Sequence, residues 1–204
     1  MPDQSDDVLG EGTAGLLLAA GAGRRFGGPK ALARLHGQRL VDRGVGILRD
    51  GGCTPVVVVS GAVPLHVPGA DVVHNRLWDT GMGSSLRAGL QRLRCTGAAA
   101  AVVLLVDTPW VGAEAVRRLL AAAALGSVAA QATYAGVPGH PVLLGREVWD
   151  DVALTATGDR GARAWLRANA AHVVAVGCDG TGDPRDVDRP QDLLDEVAEN
   201  DDGG

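Results

Sequence analysis

A short apolar run, Leu16-Leu17-Leu18-Ala19-Ala20, empties into a loop carrying Gly21, Gly23, Gly27 and Gly28, with Arg24, Arg25 and Lys30 set among the glycines. Glycine lets a backbone turn sharply and approach a ligand closely, and exposed N–H groups suit an anion. Guanidinium and ammonium groups on the same loop add fixed positive charge. The stretch from Gly15 to Leu32 therefore reads as a polyphosphate cradle at the carboxyl end of a buried strand. Composition sharpens the point: among the 19 Lys and Arg residues, Lys30 is the one lysine. An ammonium is a compact point charge, whereas guanidinium is a broad planar fork, so a site between phosphates resists that exchange. The plainer reading is a surface lysine left by chance.

The rest of the chain must supply the sheet that holds such a loop. Leu40, Val41, Val45, Ile47 and Leu48 recur at helical spacing until Gly51-Gly52 stops them. Pro55 to Gly61 reads as a second buried strand, Asp71 to His74 as a short third, and Leu86, Leu90 and Leu93 as one face of a helix. Ala98 to Val106 is the most apolar strand, followed by a helix through Val116, Leu119 and Leu120. Val128 to Tyr134 and Pro141 to Leu144 flank a hairpin or bent crossover. Helical segments are expected over Arg146–Val152 and Arg160–Asn169, the last strand over His172–Val176 and the last helix over Pro190–Val197. Strands alternating with helices imply a three-layer α/β/α sandwich, a Rossmann-like sheet that is mostly parallel with one antiparallel element. We expect one domain over residues 1–204, with flexible ends at 1–13 and 199–204.

Net charge is −5, so there is no broad basic footprint and nucleic acid is not an expected partner. Cys53, Cys95 and Cys178 show no CxxC spacing, which argues against a zinc site or disulfide framework and fits a reducing cytoplasm. No apolar run approaches membrane-spanning length, and the acidic start lacks a signal-peptide pattern.

In such sheets ligands bind beyond the carboxyl ends of the strands. Asp107 emerges there, and near phosphates its role is that of an Mg²⁺ ligand, since Mg²⁺ takes one or two carboxylates plus phosphate oxygens. The competing role is a helix cap before Thr108-Pro109. Of Asp186 and Asp188, one is expected to reach the metal; we favour Asp186, leaving Asp188 as a cap ahead of Pro190 or as a support behind the metal ligands. Ser84 and Ser85 fall where helix caps belong, or face the crevice. A dinucleotide fingerprint fits less well: Gly21 and Gly23 match GxG, but Phe26 stands where the third glycine is required, and the second strand ends in Ser60-Gly61 without an acid for a ribose.

Leu18 to Lys30, LAAGAGRRFGGPK, resembles the LAAGxGxRMGxxK signature of nucleotidyltransferases with a molybdopterin nucleotidyltransferase-like domain. Asn75 to Gly89, Val106 to Pro109, Gly139 to Val142, Thr157 to Arg163 and Asp186 to Leu193 resemble one branch, the molybdenum cofactor cytidylyltransferases and close relatives. The similarity runs from about Gly15 to Val197. It implies transfer of a nucleotidyl group from an NTP to a phosphate of a small acceptor, molybdopterin above all, with release of pyrophosphate. By that resemblance Leu18, Ala19, Ala20, Gly21, Gly23, Arg24, Arg25 and Lys30 bind the nucleotide, with Ser84 and Ser85 near its base. Arg25, Lys30 and Asp107 act in catalysis, Asp107 with Asp186 carries Mg²⁺, and His140, Arg160 and Arg163 meet the acceptor. The LAAG form implies CTP rather than GTP, and a molybdenum hydroxylase is the expected client. Sequences similar to this branch also include NAD(P)H-dependent oxidoreductases of a quinone-like pigment, which is the alternative, as is another small phosphate acceptor. A catalytically silent nucleotide-binding partner is disfavoured by the presence of Lys30, Asp107 and Asp186 together.

Overall fold

The computed structural model of the chain describes residues 12–194. Strand β1 (Thr13–Leu18) sits near the middle of a seven-stranded sheet with β4 (Val56–Ser60), β5 (Asp71–His74), β6 (Ala100–Leu105), β7 (Ala129–Tyr134), β8 (Val137–Gly145) and β9 (Val173–Gly177). A two-residue-per-strand hairpin, β2 (Arg34–Leu35) and β3 (Gln38–Arg39), stands apart from it. The sheet order is β5-β4-β1-β6-β8-β7-β9, and β8 runs antiparallel to both its neighbours while the other pairings are parallel. This is the mostly parallel α/β sandwich expected from the alternation of strands and helices.

Side-chain alternation along β1 divides the core. Leu17 and Ala19 face α1 (Leu40–Asp50) and α3 (Ala113–Ala124), packing with Leu40, Leu48, Val116 and Leu119. Leu16, Leu18 and Ala20 face the other layer, where α2 (Met82–Leu93) contributes Leu86, Leu90 and Leu93. Two short helices, α4 (Trp149–Thr155) and α5 (Arg163–Ala168), complete that layer. Trp149 is 1% exposed, and its indole N–H donates to the Leu144 carbonyl at 2.9 Å. Trp149→Ala is expected to cost about 3–5 kcal/mol through the cavity it leaves, read from the urea midpoint, with Trp149→Phe losing less.

Several expected elements are shorter than their sequence pattern. The 160–169 stretch divides into a 3₁₀ turn, Gly158–Arg160, and α5, because Gly161 takes a left-handed φ of 51° that a helix cannot continue through. Pro190–Leu193 is a 3₁₀ turn rather than a longer helix, and residues 195–197 of that expected helix lie outside the described residues. The 135–140 stretch is a hairpin whose second strand already begins at Val137. At the amino end, Thr13 opens β1 instead of belonging to a flexible end; residues 1–11 and 199–204 of the expected ends lie outside the described residues. Among the described residues, no helix is long and apolar enough to cross a membrane.

Candidate active site

Strands β1 and β6 are adjacent and parallel, so the chain leaves both at the same edge of the sheet. The glycine loop therefore comes to lie beside Val106-Asp107, and between them and the start of α2 opens a cavity of about 580 Å³. The loop is folded tightly on itself: the Gly27 and Gly28 N–H groups donate to the Gly23 carbonyl at 2.9 and 3.2 Å. Gly23 has a φ of 60°, and a Cβ there would run into the Gly28 carbonyl oxygen. Only glycine satisfies both conditions.

Lys30 is the pivot of the site. Its ammonium lies 3.1 Å from Asp107 Oδ2 and 3.4 Å from Asp188 Oδ1, with 14% of the side chain exposed. Arg25 extends the chain of charge, its guanidinium 2.9 Å from Asp188 Oδ2. The two carboxylates are held in mutual register through the backbone, since the Val187 N–H donates to the Asp107 carbonyl at 2.8 Å. Asp188 is fixed again from the other side: its own N–H and that of Arg189 both donate to Asp192 Oδ2, at 2.7 and 2.8 Å. Those two N–H groups, Arg189's first, hold the Asp192 carboxyl below its ordinary pKa, so it accepts as an anion.

The geometry brings Asp188, rather than the expected Asp186, into the cavity with Asp107. Asp186 is exposed and is not part of the cavity wall, whereas Asp188 lines it. In an extended strand the two would share a side; the turn tied by Asp192 separates them, with buried Val187 between. Neither Asp107 nor Asp188 is a helix cap. The helix after Asp107 starts at Ala113 with Gly112 as its cap, and Arg189 occupies the cap position of the 190–193 turn.

The far wall is Trp78 and Asp79, from the 3₁₀ turn Trp78–Thr80, together with Met82 and Ser85 of α2 and Asp159 of the Gly158–Arg160 turn. Buried Asn75 organises it by donating to Ser84 Oγ at 2.8 Å and Ser85 Oγ at 3.1 Å, while accepting the Leu77 N–H at 2.9 Å. The α2 cap is Gly81, with a φ of 109°, and not either serine. Any Cβ at Gly81 would strike the Gly158 backbone, so glycine is what lets the two turns meet. Ser85 reaches the cavity; Ser84 does not, because its hydroxyl is taken up within 2.7 Å of the Leu77 carbonyl and 2.9 Å of that of Gly81.

Of the other expected residues, Leu18, Ala20, Gly21, Gly23, Arg24, Arg25, Lys30 and Asp107 line the cavity. Ala19 does not; strand alternation turns it into the opposite core layer, where it is 3% exposed. His140, Arg160 and Arg163 also lie outside the wall. His140 sits behind it, its Nδ1 3.4 Å from the Val103 carbonyl, a partner that can only accept, so Nδ1 carries the proton. Burial lowers the His140 pKa, opposed by the Val103 hydrogen bond and by Asp107, with Arg163 adding slightly to the lowering. Arg160 and Arg163 are exposed.

Residues 15–174 match the MobA-like NTP transferase domain. The chain belongs to that family. With it the chain joins the nucleotidyltransferases, and the glycine loop at the end of β1 lies inside the matched region. Nicotine blue oxidoreductase of Paenarthrobacter nicotinovorans is 35% identical over 193 residues, covering 88% of this chain and 93% of that protein. The molybdenum cofactor guanylyltransferase of Rhodobacter capsulatus is 37% identical over 117 residues, and there the match spans 54% of this chain and 58% of the relative. Among solved structures, Rv0371c from Mycobacterium tuberculosis H37Rv superposes with a TM-score of 0.77 at 26% identity, covering 92% of this chain and 98% of that one.

Among the wall residues that escape a reading of motifs alone, three carry polar or aromatic chemistry: Trp78, Asp79 and Asp159. All three lie within stretches whose resemblance to the family is visible, yet their direction depends on how Asn75 and Gly81 fold the loop. Asp188 carried a usable signal, an acid four residues later that could accept its N–H.

Proposed function

We propose that this chain transfers CMP from CTP to a phosphate of a molybdopterin-type acceptor in the cytoplasm, releasing pyrophosphate. The observation that carries the reading is the convergence of Arg25, Lys30, Asp107 and Asp188 at the mouth of the glycine loop. An acceptor phosphate is already a nucleophile at neutral pH, so the chain need only align it with the α-phosphorus and neutralise charge. Arg25 and Lys30 would take the triphosphate, with the loop N–H groups beside them. Exposed Arg160, next in sequence to the cavity-lining Asp159, and Arg163 would offer charge to a second anion.

A divalent cation fits the same place. The Lys30 ammonium occupies a position between two carboxylates, and hard oxygen donors in that number are what Mg²⁺ takes. Among the described residues no group of three or more His, Cys, Asp or Glu could hold a metal, so phosphate oxygens would complete the set. When bound, Mg²⁺ supplies Lewis-acid neutralisation of charge on the departing pyrophosphate. Asp107 and Asp188 would hold it. Asp192 then acts through Asp188: Asp192→Ala is expected to weaken the use of the metal–nucleotide complex roughly tenfold, seen as a raised KM. Asp192→Asn, whose amide oxygen still accepts, should recover part of that loss.

CTP is favoured by the LAAG form of the loop, whose Ala20 lines the cavity. Two relatives point elsewhere. The guanylyltransferase points to GTP, and the oxidoreductase, similar over nearly its whole length, points to a redox reaction for which NAD(P)H is the ligand to try. Thermal unfolding with CTP, GTP and NAD(P)H, each with and without Mg²⁺, separates them. A ligand at about a hundred times its dissociation constant adds roughly 2.7 kcal/mol of stability. An Mg²⁺-dependent shift with CTP alone supports the proposal; one with GTP alone replaces the base. A shift with NAD(P)H and neither triphosphate overturns it.

A further inference from the structure

The ion pairs at the cavity mouth form one unbranched chain, Arg25–Asp188–Lys30–Asp107, in which Lys30 touches both acids. Each member has its charge satisfied by the next. The ammonium stands where a cation held by both carboxylates would stand, and it is largely shielded from water, whereas Arg25 is 79% exposed. Lys30 is therefore the inner lock of the site and Arg25 its outer, solvated end.

From this we infer that Lys30 is an internal competitor of the divalent cation, so that metal and polyphosphate bind each other's form of the site. The inference rests on the nucleotidyl-transfer reading of the cavity and adds its order of assembly. Metal arriving alone must displace the ammonium from both carboxylates. Polyphosphate arriving alone draws Lys30 and Arg25 away and leaves Asp107 and Asp188 unpaired, facing an anion of their own sign. When both arrive, every partner is exchanged: the two cations pass to phosphate oxygens and the two carboxylates to the metal. Coupling of this kind is reciprocal, so each ligand tightens the other by the same factor. The consequence is a site that holds neither metal nor triphosphate firmly until it holds both, which guards the carboxylates against idle occupancy by metal.

Removal of the lock gives the test, because it predicts a gain. Mn²⁺ binding, read by the loss of its free electron paramagnetic resonance signal without nucleotide, is expected to be at least tenfold tighter in Lys30→Met than in the unaltered protein. Lys30→Gln, which is less demanding of packing, should show the same gain. Adding Asp107→Asn to Lys30→Met should abolish it, which ties the gained site to these carboxylates. Equal Mn²⁺ affinity in the unaltered protein and both Lys30 variants, with their circular dichroism unchanged, overturns the inference. Failure of the underlying reading shows in a different sample: the unaltered protein with Mn²⁺ and CTP or GTP together would give no complex, whatever Mn²⁺ does alone.

Discussion

Lys30→Ala is expected to cut nucleotidyl transfer more than tenfold. The residue is the only lysine in the sequence and brings its ammonium within 3.4 Å of two carboxylates at the mouth of the glycine loop. Charge builds on the bridging and terminal oxygens of pyrophosphate as the α-phosphorus is transferred, and a preorganised cation there is worth far more than one in water. Tenfold in rate corresponds to about 1.4 kcal/mol of barrier, a modest demand on such a group. Lys30→Arg should not restore the rate. The site is narrow, with Asp107 and Asp188 on either side, and the planar fork of arginine is broader than an ammonium. Turnover measured as pyrophosphate release decides the matter, and an unchanged rate in Lys30→Ala removes the residue from the chemistry.

Much of this site is written locally in the chain. An apolar strand that breaks into glycines, and a second apolar strand that ends in Asp107, place both features on one sheet edge as soon as the strands are parallel neighbours. Inward and outward positions follow from strand alternation, which is why Ala19 and Ala20 part company although they are adjacent. What is not local is illegible. The choice between Asp186 and Asp188 turns on a backbone hydrogen bond from Val187 to Asp107, across about eighty residues of sequence, and on the reach of Asp192. Ser84 and Ser85 look alike in sequence; the Asn75 side chain and two loop carbonyls set one inward and leave the other on the cavity. Trp78 and Asp79 become wall residues only because Gly81 lets its turn pack on the Gly158 backbone without a side chain between them. The broken helix at Gly161 belongs to the same class, since its apolar spacing reads as helical while its φ of 51° ends the element.

Asp107→Ala carries the second large effect, an expected loss of roughly a hundredfold or more in turnover, in the range found for removing a group aimed at developing charge. The carboxylate does two things here. It holds the inner end of the Lys30 chain, and it is one of two donors that a divalent cation would find at the cavity mouth. Deleting it removes a ligand and releases a cation at one stroke, so the loss should exceed that of Arg25→Ala, whose side chain is the solvated end. The companion variants decide which second acid takes part. Asp188→Ala should fall with Asp107→Ala, because both touch Lys30, while Asp186→Ala should stay near the unaltered rate, because its side chain is exposed and outside the cavity wall. Initial rates across a range of Mg²⁺ concentration separate the roles further. Variants that have lost a metal donor should need more Mg²⁺ for half-maximal rate, whereas Lys30→Ala should need no more than the unaltered protein. The opposite pattern, with Asp186→Ala disabled and Asp188→Ala active, assigns the site to the other acid and breaks the link between Lys30 and the metal.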